Sequence, residues 1–442
     1  MSALAADRIL GRGFADNRLI NNAMKTLIMQ SMLRQVSLIG RKADSVKDRR
    51  RVMRAFDECI TLQRELSAVR RRAGTLLLIR LDEIGDYLLF RNQLKGYKAS
   101  ARWKSHRITL LGNECWRELF TAFDQPTVDD TIWVHKDRYL QNAPYRMEIW
   151  KQLRAGGFET VVAPSYMRPL LLDDLCMLAA APLQSFASVN INVHECWNRL
   201  SDSLYTSLFK PSRSLLMHEF EFNAEFSTWL NANRYPGNRP CIEMRPAASG
   251  RGAYTICFVG ASIRSKRWPA KRWLEFIALH CRHFSGRIVL AAGTSKAELE
   301  MAHEIQQRTG AESVAGKLTL CELLQWIAEA QAVVTNDTMA AHMSVSLNRP
   351  TVIIANGTNY MRFAEYSHAG ITQVAAVYSE LFNRRRRRLG DRPYAYHQTV
   401  TGDIVAIRAA TVIEALKELS PELCTSGLSR EARPVRAGTL GY

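Results

Sequence analysis

The sequence predicts an α/β protein with two doubly wound domains, each formed by helices on both faces of a parallel sheet. From residue 75 onward, short apolar runs alternate with segments of helical period, which is typical of βαβ units. The runs are nearly all apolar, as expected for strands that are covered on both faces. They form two series in a chain of 442 residues, so we expect two domains in tandem.

The strands of the two series are predicted from these apolar runs. In the first series they are residues 75–80, 107–112, 131–135, 160–164 and 185–189. In the second series they are residues 254–260, 287–293, 332–337, 351–357 and 373–378. A segment rich in Pro, Gly and Arg, residues 235–253, separates the series. We therefore expect domains at 74–235 and 250–420, followed by a polar tail at 421–442.

Several helix starts in the second series have recognisable signals. Ser295 with Glu298, and Thr319 with Glu322, have the spacing of capping boxes. Pro269 is predicted in the first turn of the next helix, where its missing N–H is harmless. Ligands of doubly wound sheets bind beyond the carboxyl ends of the strands, so we expect a ligand site in a cleft between the two domains.

The charge of the chain is unusual. There are 60 Lys and Arg residues against 42 Asp and Glu, a net charge of +18, which indicates an anionic partner. Half of this excess lies in residues 1–73, a basic extension with helical periodicity. Two interpretations stay open for it, a helical pair packed on the main body or an amphipathic helix on a membrane surface or partner. Nucleic acid is expected to bind only non-specifically.

Other features concern the location of the chain and its cofactors. The nine cysteines have no metal-ligand spacing and are predicted to be reduced, buried thiols. No apolar run approaches the length of a membrane span. We therefore expect a cytoplasmic protein, with peripheral binding to the inner face of the membrane left open. No metal site is predicted, and the adjacent carboxylates Asp129–Asp130 and Asp173–Asp174 are predicted to be surface or capping groups.

The first candidate site is the sequence RLDEIGD at 80–86, which follows the first predicted strand. Gly85 allows a tight turn, and Asp86 is predicted at the start of a helix. One interpretation is an ordinary N-cap, for which Asp is favoured. The other is a carboxylate that acts as a general base, kept ionised by the helix N-terminus.

The second and third candidate sites follow strands of the second series. The sequence GASIRSKRWP at 260–269 brings Gly260 and Ser262 together with three cations, a combination that suits a phosphate; the cations are Arg264, Lys266 and Arg267. The sequence NDTMAAH at 336–342 places its polar groups at a predicted helix start, which is an anion site in many proteins. Its candidates are Asp337, Thr338, Met339 and His342. A solvated loop, an N-cap and a core histidine are the alternative interpretations.

In order and spacing these segments resemble glycosyltransferase family 9, which includes the lipopolysaccharide heptosyltransferases. RLDEIGD, GASIRSKRWP and DTMAAHMSVSLNRPTV resemble its three signature segments, and MHEFEFN at 217–223 resembles its His-Glu segment. The resemblance covers about residues 74–420. It implies two Rossmann-like domains of GT-B architecture and a metal-independent, inverting transfer of a sugar from a nucleotide diphosphate, without any further cofactor.

The resemblance also implies roles for individual residues. Asp86 would deprotonate the acceptor hydroxyl, and Lys266 would contact the donor phosphate or sugar. Amides near Thr338 and Met339 would bind the diphosphate, while Asp337 would hold the donor sugar or the loop, with His342 supporting the same site. The implied donor is ADP-heptose, and the implied acceptor is a lipopolysaccharide-type or other glycan, carried on a glycolipid at the membrane.

This chain also departs from the family. Met339 stands where the family usually has Gly, which allows a close approach of phosphate. The run Arg384 to Arg388, predicted as a basic loop, lies where the family varies and could contact the donor, acceptor phosphates, lipid headgroups or only solvent. A non-catalytic protein that binds an anionic partner, and a nucleotide-sugar epimerase, are the alternative functions.

Overall fold

The computed structural model describes most of the chain in two compact units. The described residues are 46–65, 70–191, 195–213, 216–231, 237–245, 250–391 and 402–424. One unit contains the described chain up to Leu81 with His106–Gly112 and Asp130–Lys210; the other contains Asp82–Ser105, Asn113–Asp129 and the described chain from Pro211 onward. The first 45 residues of the predicted extension and the tail after residue 424 lie outside the described residues.

The helices are numbered along the described chain, and short 3-10 turns are left out. They are α1 Val46–Glu65, α2 Ile84–Phe90, α3 Leu94–Ala99, α4 Arg117–Phe123, α5 Lys136–Gln141, α6 Ala143–Gly156, α7 Leu175–Ala180, α8 Glu195–Ser203, α9 Glu219–Asn231, α10 Ala270–His283, α11 Lys296–Thr309, α12 Leu320–Glu329, α13 Met339–Ser346, α14 Glu380–Leu389 and α15 Ala409–Leu419. In this part of the chain, none of them is long and apolar enough to cross a membrane.

The first unit is built on a six-stranded sheet with the order β3-β2-β1-β4-β5-β6. Its strands are β1 Arg72–Arg80, β2 Arg107–Asn113, β3 Asp130–Val134, β4 Phe158–Ala163, β5 Gln184–Ser188 and β6 Ser207–Phe209. The pairs β1–β2, β1–β4, β4–β5 and β5–β6 are parallel. All five predicted strands are present; β6 was not predicted because it has only three residues.

Helix α1, the described part of the basic extension, belongs to the core of the first unit. Phe56, Cys59 and Leu62 on its apolar side are buried in the same cluster as strand residues. Arg146 on α6 forms an ion pair with Glu58 at 3.0 Å. Residues 46–65 therefore form a helix packed on the main body, which is the first of the two interpretations of the extension.

The prediction for Asp173 and Asp174 was wrong, because both carboxylates are buried in the first unit. They lie in a π-helical turn, Leu170–Asp174, between β4 and α7. Arg168, which has no solvent exposure, lies 3.4 Å from Asp174 and 2.8 Å from Asp202. Tyr205 donates a further hydrogen bond of 2.9 Å to Asp174. Adjacent carboxylates usually face solvent, and here buried donors from other segments hold them inside.

The other adjacent pair, Asp129 and Asp130, is partly exposed and forms ion pairs with Lys98 and Arg107, as a surface position requires. The cysteines follow the prediction only in part. Among those that the structure describes, three are buried and the others are partly or fully exposed, and all are free thiols.

The second unit repeats the same topology in a second six-stranded sheet, with the order β12-β11-β10-β7-β8-β9. Its strands are β7 Tyr254–Phe258, β8 Arg287–Ala291, β9 Glu312–Ser313, β10 Ala332–Asn336, β11 Thr351–Ile354 and β12 Val374–Val377. The paired strands are parallel. The five predicted strands are confirmed, and the two-residue β9 was too short to predict. Two parallel sheets with flanking helices confirm the predicted fold class.

Three local predictions in the second unit need correction. The arginine run is helical, since α14 contains Arg384 to Arg388 and begins at a Ser379 N-cap. Pro269 is the residue before α10 and not part of its first turn. The Thr319–Glu322 capping box is present, whereas Ser295 makes no cap bond to the backbone. The Ser295 hydroxyl binds the carboxylate of Glu298 at 2.6 Å instead.

Candidate functional site

The predicted site residues of the second series lie at the carboxyl ends of β7 and β10. These strands are neighbours, and the order of the sheet reverses between them. Loops that leave a sheet at such a reversal diverge and leave room for a ligand. Two stretches of chain, 259–269 after β7 and 337–338 after β10, therefore form the candidate site in the second unit.

The loop after β7 is held by Asn336, the last residue of β10. Its amide nitrogen donates to the carbonyl oxygens of Val259 at 2.9 Å and Gly260 at 3.0 Å. Its amide oxygen accepts the N–H of Trp268 at 3.1 Å. The indole N–H of Trp268 in turn donates to the carbonyl oxygen of Ile407 at 3.0 Å. Asn336 thus fixes both ends of the loop, a role that was not predicted because it depends on contacts distant in sequence.

Lys266 and Asp337 form an ion pair that joins the two loops. The Nζ atom of Lys266 lies 2.5 Å from Oδ2 of Asp337, and the side chains are only 12% and 4% exposed. Partial burial strengthens such a pair because water screens it less. The structure therefore brings together two residues for which separate roles were predicted.

The remaining polar groups of the loop divide into free and tethered ones. Ser262 and Arg264 are exposed at its tip. Arg267 bends back, and its Nε donates to the carbonyl oxygen of Ala261 at 2.5 Å. The loop therefore presents a hydroxyl and a guanidinium outward, while Arg267 stabilises its backbone.

Gly260 and Gly293 both pack against the carboxylate of Glu298, in the first turn of α11. A Cβ atom at Gly260 would overlap Oε1 of Glu298, and one at Gly293 would lie 2.8 Å from Oε2. Glu298 is 7% exposed, so most of its carboxylate lies against these two turns at the ends of β7 and β8. The importance of Glu298 was missed, because its spacing from Ser295 suggested a capping box.

The start of α13 completes this part of the site. Thr338 is its N-cap residue, yet the Thr338 side chain makes no hydrogen bond to the backbone N–H groups there. The Thr338 hydroxyl lies 3.2 Å from that of Thr335 instead. Met339, the first helical residue, is half-buried and does not have a positive φ. The backbone therefore does not need glycine at position 339, and the methionine affects the site only through its side chain.

His342 lies one turn further along α13 and is a packed core residue. Its Nδ1 lies 2.5 Å from the hydroxyl of Tyr366. Gly85 of α2 packs against the imidazole so closely that a Cβ there would lie 2.7 Å from Cδ2. Burial lowers the pKa of His342 to about 3, and the charge of Asp337 offsets this only in part. His342 is therefore neutral near pH 7 and supports the site by packing.

Asp86 is the third residue of α2, in its first turn, and not its N-cap as expected. Its Oδ1 accepts a hydrogen bond of 3.3 Å from Nη2 of Arg362. The Nε of Arg362 donates to Oε2 of Glu219 at 2.8 Å, and Glu219 is fully buried. One guanidinium thus connects Asp86 to the first residue of α9. Arg362 was not predicted.

A strained loop after β11 places Arg362. Asn359 and Met361 have φ values of 55° and 71°, and Gly357 has 87°. For methionine, the left-handed conformation costs roughly 1 kcal/mol. His218 of the MHEFEFN segment contacts the same loop, with Nε2 2.8 Å from the carbonyl oxygen of Phe363. The segment singled out in the sequence therefore packs beside Asp86 and His342.

No group of three or more His, Cys, Asp or Glu side chains suited to a metal ion occurs among the described residues. The groups assembled around α13 are a lysine–aspartate pair, glycine turns, uncapped amides and a carboxylate held by arginine. Such groups suit an anionic ligand with hydroxyls, next to a group that accepts a proton.

Comparisons with known proteins agree with this description. Residues 205–388 match the family model of glycosyltransferase family 9 (heptosyltransferase). Lipopolysaccharide heptosyltransferase 3 of Escherichia coli is 31% identical over 164 residues, 36% of this chain and 45% of that protein. Lipooligosaccharide heptosyltransferase 2 of Haemophilus influenzae is 28% identical over 189 residues, 41% of this chain and 48% of that protein. The chain thus spans about half the length of the curated relatives it matches.

Solved structures extend the similarity to both units. A family 9 glycosyl transferase from Veillonella parvula has a TM-score of 0.58 at 15% identity, over 79% of this chain and 98% of its own. The E. coli heptosyltransferase WaaC, solved with ADP-2-deoxy-2-fluoro heptose, has a TM-score of 0.57 at 17% identity, over 78% and 99%. Asp86 lies outside the residues matched by the family model. The chain is therefore a protein similar to the heptosyltransferases of glycosyltransferase family 9, and it has their GT-B fold.

Proposed function

We propose that this protein is an inverting glycosyltransferase that moves a heptose from ADP-heptose to a lipopolysaccharide-type or other glycan acceptor. One observation carries the proposal: at the strand reversal of the second sheet, Lys266 and Asp337 meet beside the uncapped start of α13. A helix start with free amides and an adjacent cation is suited to a diphosphate. The matched heptosyltransferases and the ADP-sugar bound in one of them support this choice of donor.

The diphosphate would lie against the amides around Thr338 and Met339. Lys266 would exchange part of its contact with Asp337 for a phosphate oxygen, and Ser262 and Arg264 would reach the ligand from the loop tip. Negative charge grows on the leaving diphosphate during transfer, and fixed donors stabilise it without reorganisation. These residues would therefore act most strongly in the transition state.

The nucleoside would extend from the diphosphate toward Glu298. In dinucleotide-binding sheets, an acidic side chain near the glycine turn accepts hydrogen bonds from ribose hydroxyls. Glu298 lies against Gly260 and Gly293 and keeps a small exposed fraction. We therefore assign it to the ribose, while Asp337 holds the donor sugar or the loop.

Asp86 would act as the general base. Its carboxylate takes the proton of the acceptor hydroxyl while the hydroxyl oxygen attacks C1 of the sugar. The bond between C1 and the diphosphate oxygen breaks, the nucleoside diphosphate leaves, and the configuration at C1 inverts. Arg362 donates a hydrogen bond to Oδ1 of this carboxylate and would help to hold Asp86 in place.

Calorimetric titration with ADP tests the donor site. Wild type is expected to bind ADP, and Lys266→Ala is expected to weaken binding by about 10- to 100-fold, because a charge-assisted bond to phosphate is lost. Lys271→Ala is the matched control, since Lys271 is an exposed lysine on α10 and should leave binding unchanged. A folded wild type that binds no nucleoside diphosphate, or equal losses in both variants, would reject the donor site. The non-catalytic alternative would then be favoured.

Asp86→Asn tests the catalytic step separately. Transfer from ADP-heptose is expected to fall about 10²- to 10⁴-fold in kcat, the usual contribution of a general base. ADP affinity should stay at the wild-type value, because Asp86 touches the acceptor side. Arg362→Lys keeps the charge but loses the two-sided contact, so it should lower kcat with a smaller effect. Full activity of Asp86→Asn would show that another group takes the proton.

A further inference from the structure

Helix α14 has one face that is both basic and apolar, and the side chains of this face are exposed. Arg384, Arg385, Arg387 and Arg388 are all exposed. Leu381 is 49% exposed and Leu389 is 51% exposed, two of the seven large hydrophobic side chains exposed in the described part of the chain. One short helix therefore combines four exposed arginines with two exposed leucines.

The helical spacing places these side chains on one continuous surface. Leu381, Arg385 and Leu389 are four residues apart, so they form one row along the helix. Arg384 and Arg388 form the adjacent row on one side of Leu381. Leu381 thus lies among arginines, with the guanidinium groups free to extend beyond the leucine side chains.

Phe382 and Arg386, on the other side of α14, attach the helix to the second unit. Phe382 is buried and packs on Tyr360 and Tyr378, with ring centroids 5.5 and 4.8 Å away. Arg386 donates to the hydroxyl of Tyr360 and lies 3.2 Å from Asp391. Arg386 is therefore a structural arginine, unlike its four exposed neighbours.

The exposed arginines have few acidic partners among the described residues. Arg384 and Arg387 share one carboxylate, Glu380, at 3.5 and 2.9 Å, and all three side chains are more than 60% exposed. Exposed pairs of this kind contribute little to stability. The face therefore has an excess of positive charge that is available to an external partner.

We propose that this face of α14 binds the surface of an anionic lipid bilayer. Arginines attract anionic headgroups, and their long side chains allow Leu381 and Leu389 to reach the acyl boundary while the charges stay in the headgroup layer. Nucleic acid fits the face less well, because none of its exposed side chains is aromatic and exposed leucines do not stack on bases. Helix α1, the described part of the basic extension, has already buried its apolar side in a core.

Vesicle co-sedimentation of the full chain tests this surface. Wild type is expected to bind vesicles of phosphatidylcholine with phosphatidylglycerol, and added salt should weaken the binding. Replacing Arg384, Arg385, Arg387 and Arg388 by Gln should lower the partition coefficient on the order of 100-fold. A matched control replaces four exposed basic residues of α10 and α11 by Gln, and should change it far less; these are Lys271, Arg282, Lys296 and Arg308.

A second variant separates insertion from simple attraction. Leu381→Ser with Leu389→Ser keeps every charge, and should lower partitioning about five- to tenfold while the salt dependence stays. Equal loss in the α10–α11 control would mean that only net charge matters and would overturn the proposal. If the variant with the four arginines replaced by Gln still binds vesicles but no longer binds a double-stranded oligonucleotide, the face binds nucleic acid and the proposal is overturned. The assay contains no sugar donor, so its outcome is independent of the proposed transfer reaction.

Discussion

The carboxyl ends of the two sheets differ although both sheets have the same strand order. In the first unit, the ends of β4 and β5 are filled by Arg168, which binds Asp174, Asp202 and the carbonyl oxygen of Ser188. These charged groups pair with one another, and the side chains of Arg168 and Asp174 have no solvent exposure. In the second unit, the ends of β7 and β10 carry Lys266 with glycine turns and an uncapped helix start.

This difference separates structural charges from charges suited to a ligand. The charges of a buried ion network are already paired with one another, so the network is poorly suited to bind a ligand, and each member depends on its partners. A lysine with one partner and some exposure can exchange that partner for phosphate. The carboxyl ends of the strands therefore form a sealed edge at β4 and β5 in the first unit and a candidate binding edge at β7 and β10 in the second.

The largest expected effect is on the sealed edge. Arg168→Ala would leave Asp174 and Asp202 without their cation, and should lower the free energy of unfolding by about 3–5 kcal/mol. Urea unfolding measures this change. Arg107→Ala removes an ion pair with Asp130 in which both side chains are exposed. This change should lower the free energy of unfolding by less than about 1 kcal/mol. Similar values for the two variants would show that the buried network does not depend on its cation, and would contradict the prediction.

The next effect is on the binding edge and depends on pH. The pKa of His342 is about 3 in the folded protein, below its ordinary value of 6.5. Between these values the unfolded chain binds a proton that the native state does not, so stability falls as the solution is acidified. The His342 contribution should amount to about 3 kcal/mol between pH 6.5 and pH 4. Urea unfolding should show that the free energy of unfolding depends less on pH in His342→Gln than in wild type. Parallel curves of this free energy against pH would contradict the prediction.

The sealed edge should respond to pH in the opposite direction. Burial raises the pKa of Asp173 to about 6, with the neighbouring charge of Asp174 adding to the effect. The native state then holds a proton that the unfolded chain has lost, so the Asp173 contribution lowers stability as pH rises from about 4 to 6. Asp173→Asn should therefore be more stable than wild type above pH 6, by about 3 kcal/mol. Equal free energies of unfolding for wild type and variant at pH 8, measured with urea, would show that ionisation of Asp173 in the native state costs little free energy.

The sequence was a good guide wherever the signal is local. Near-continuous apolar runs identified ten strands, because strands that are buried on both faces consist almost entirely of apolar residues. The arginine run was taken for a loop, although arginine favours helices and Ser379 is a suitable N-cap. That error came from reading charge as a sign of irregular structure.

Contacts that are distant in sequence could not be predicted from the pattern. Arg362 meets Asp86 across 276 residues, and Asn336 fixes a loop 68 or more residues away. Asp173 and Asp174 look like surface residues until Arg168 is placed beside them. In each case the partner is chosen by the packing of whole elements, which single-sequence periodicity does not report.

The smallest expected effect concerns the residue in which this chain departs from the family. Met339 begins α13 without a positive φ, so Met339→Gly should fold, with a loss of less than about 1 kcal/mol from helix propensity. Removing the side chain clears the amides at the helix start, and ADP affinity by calorimetry should rise about threefold because phosphate can approach more closely. A fall in affinity would show instead that the methionine packs on the ligand, and that this edge is shaped around it.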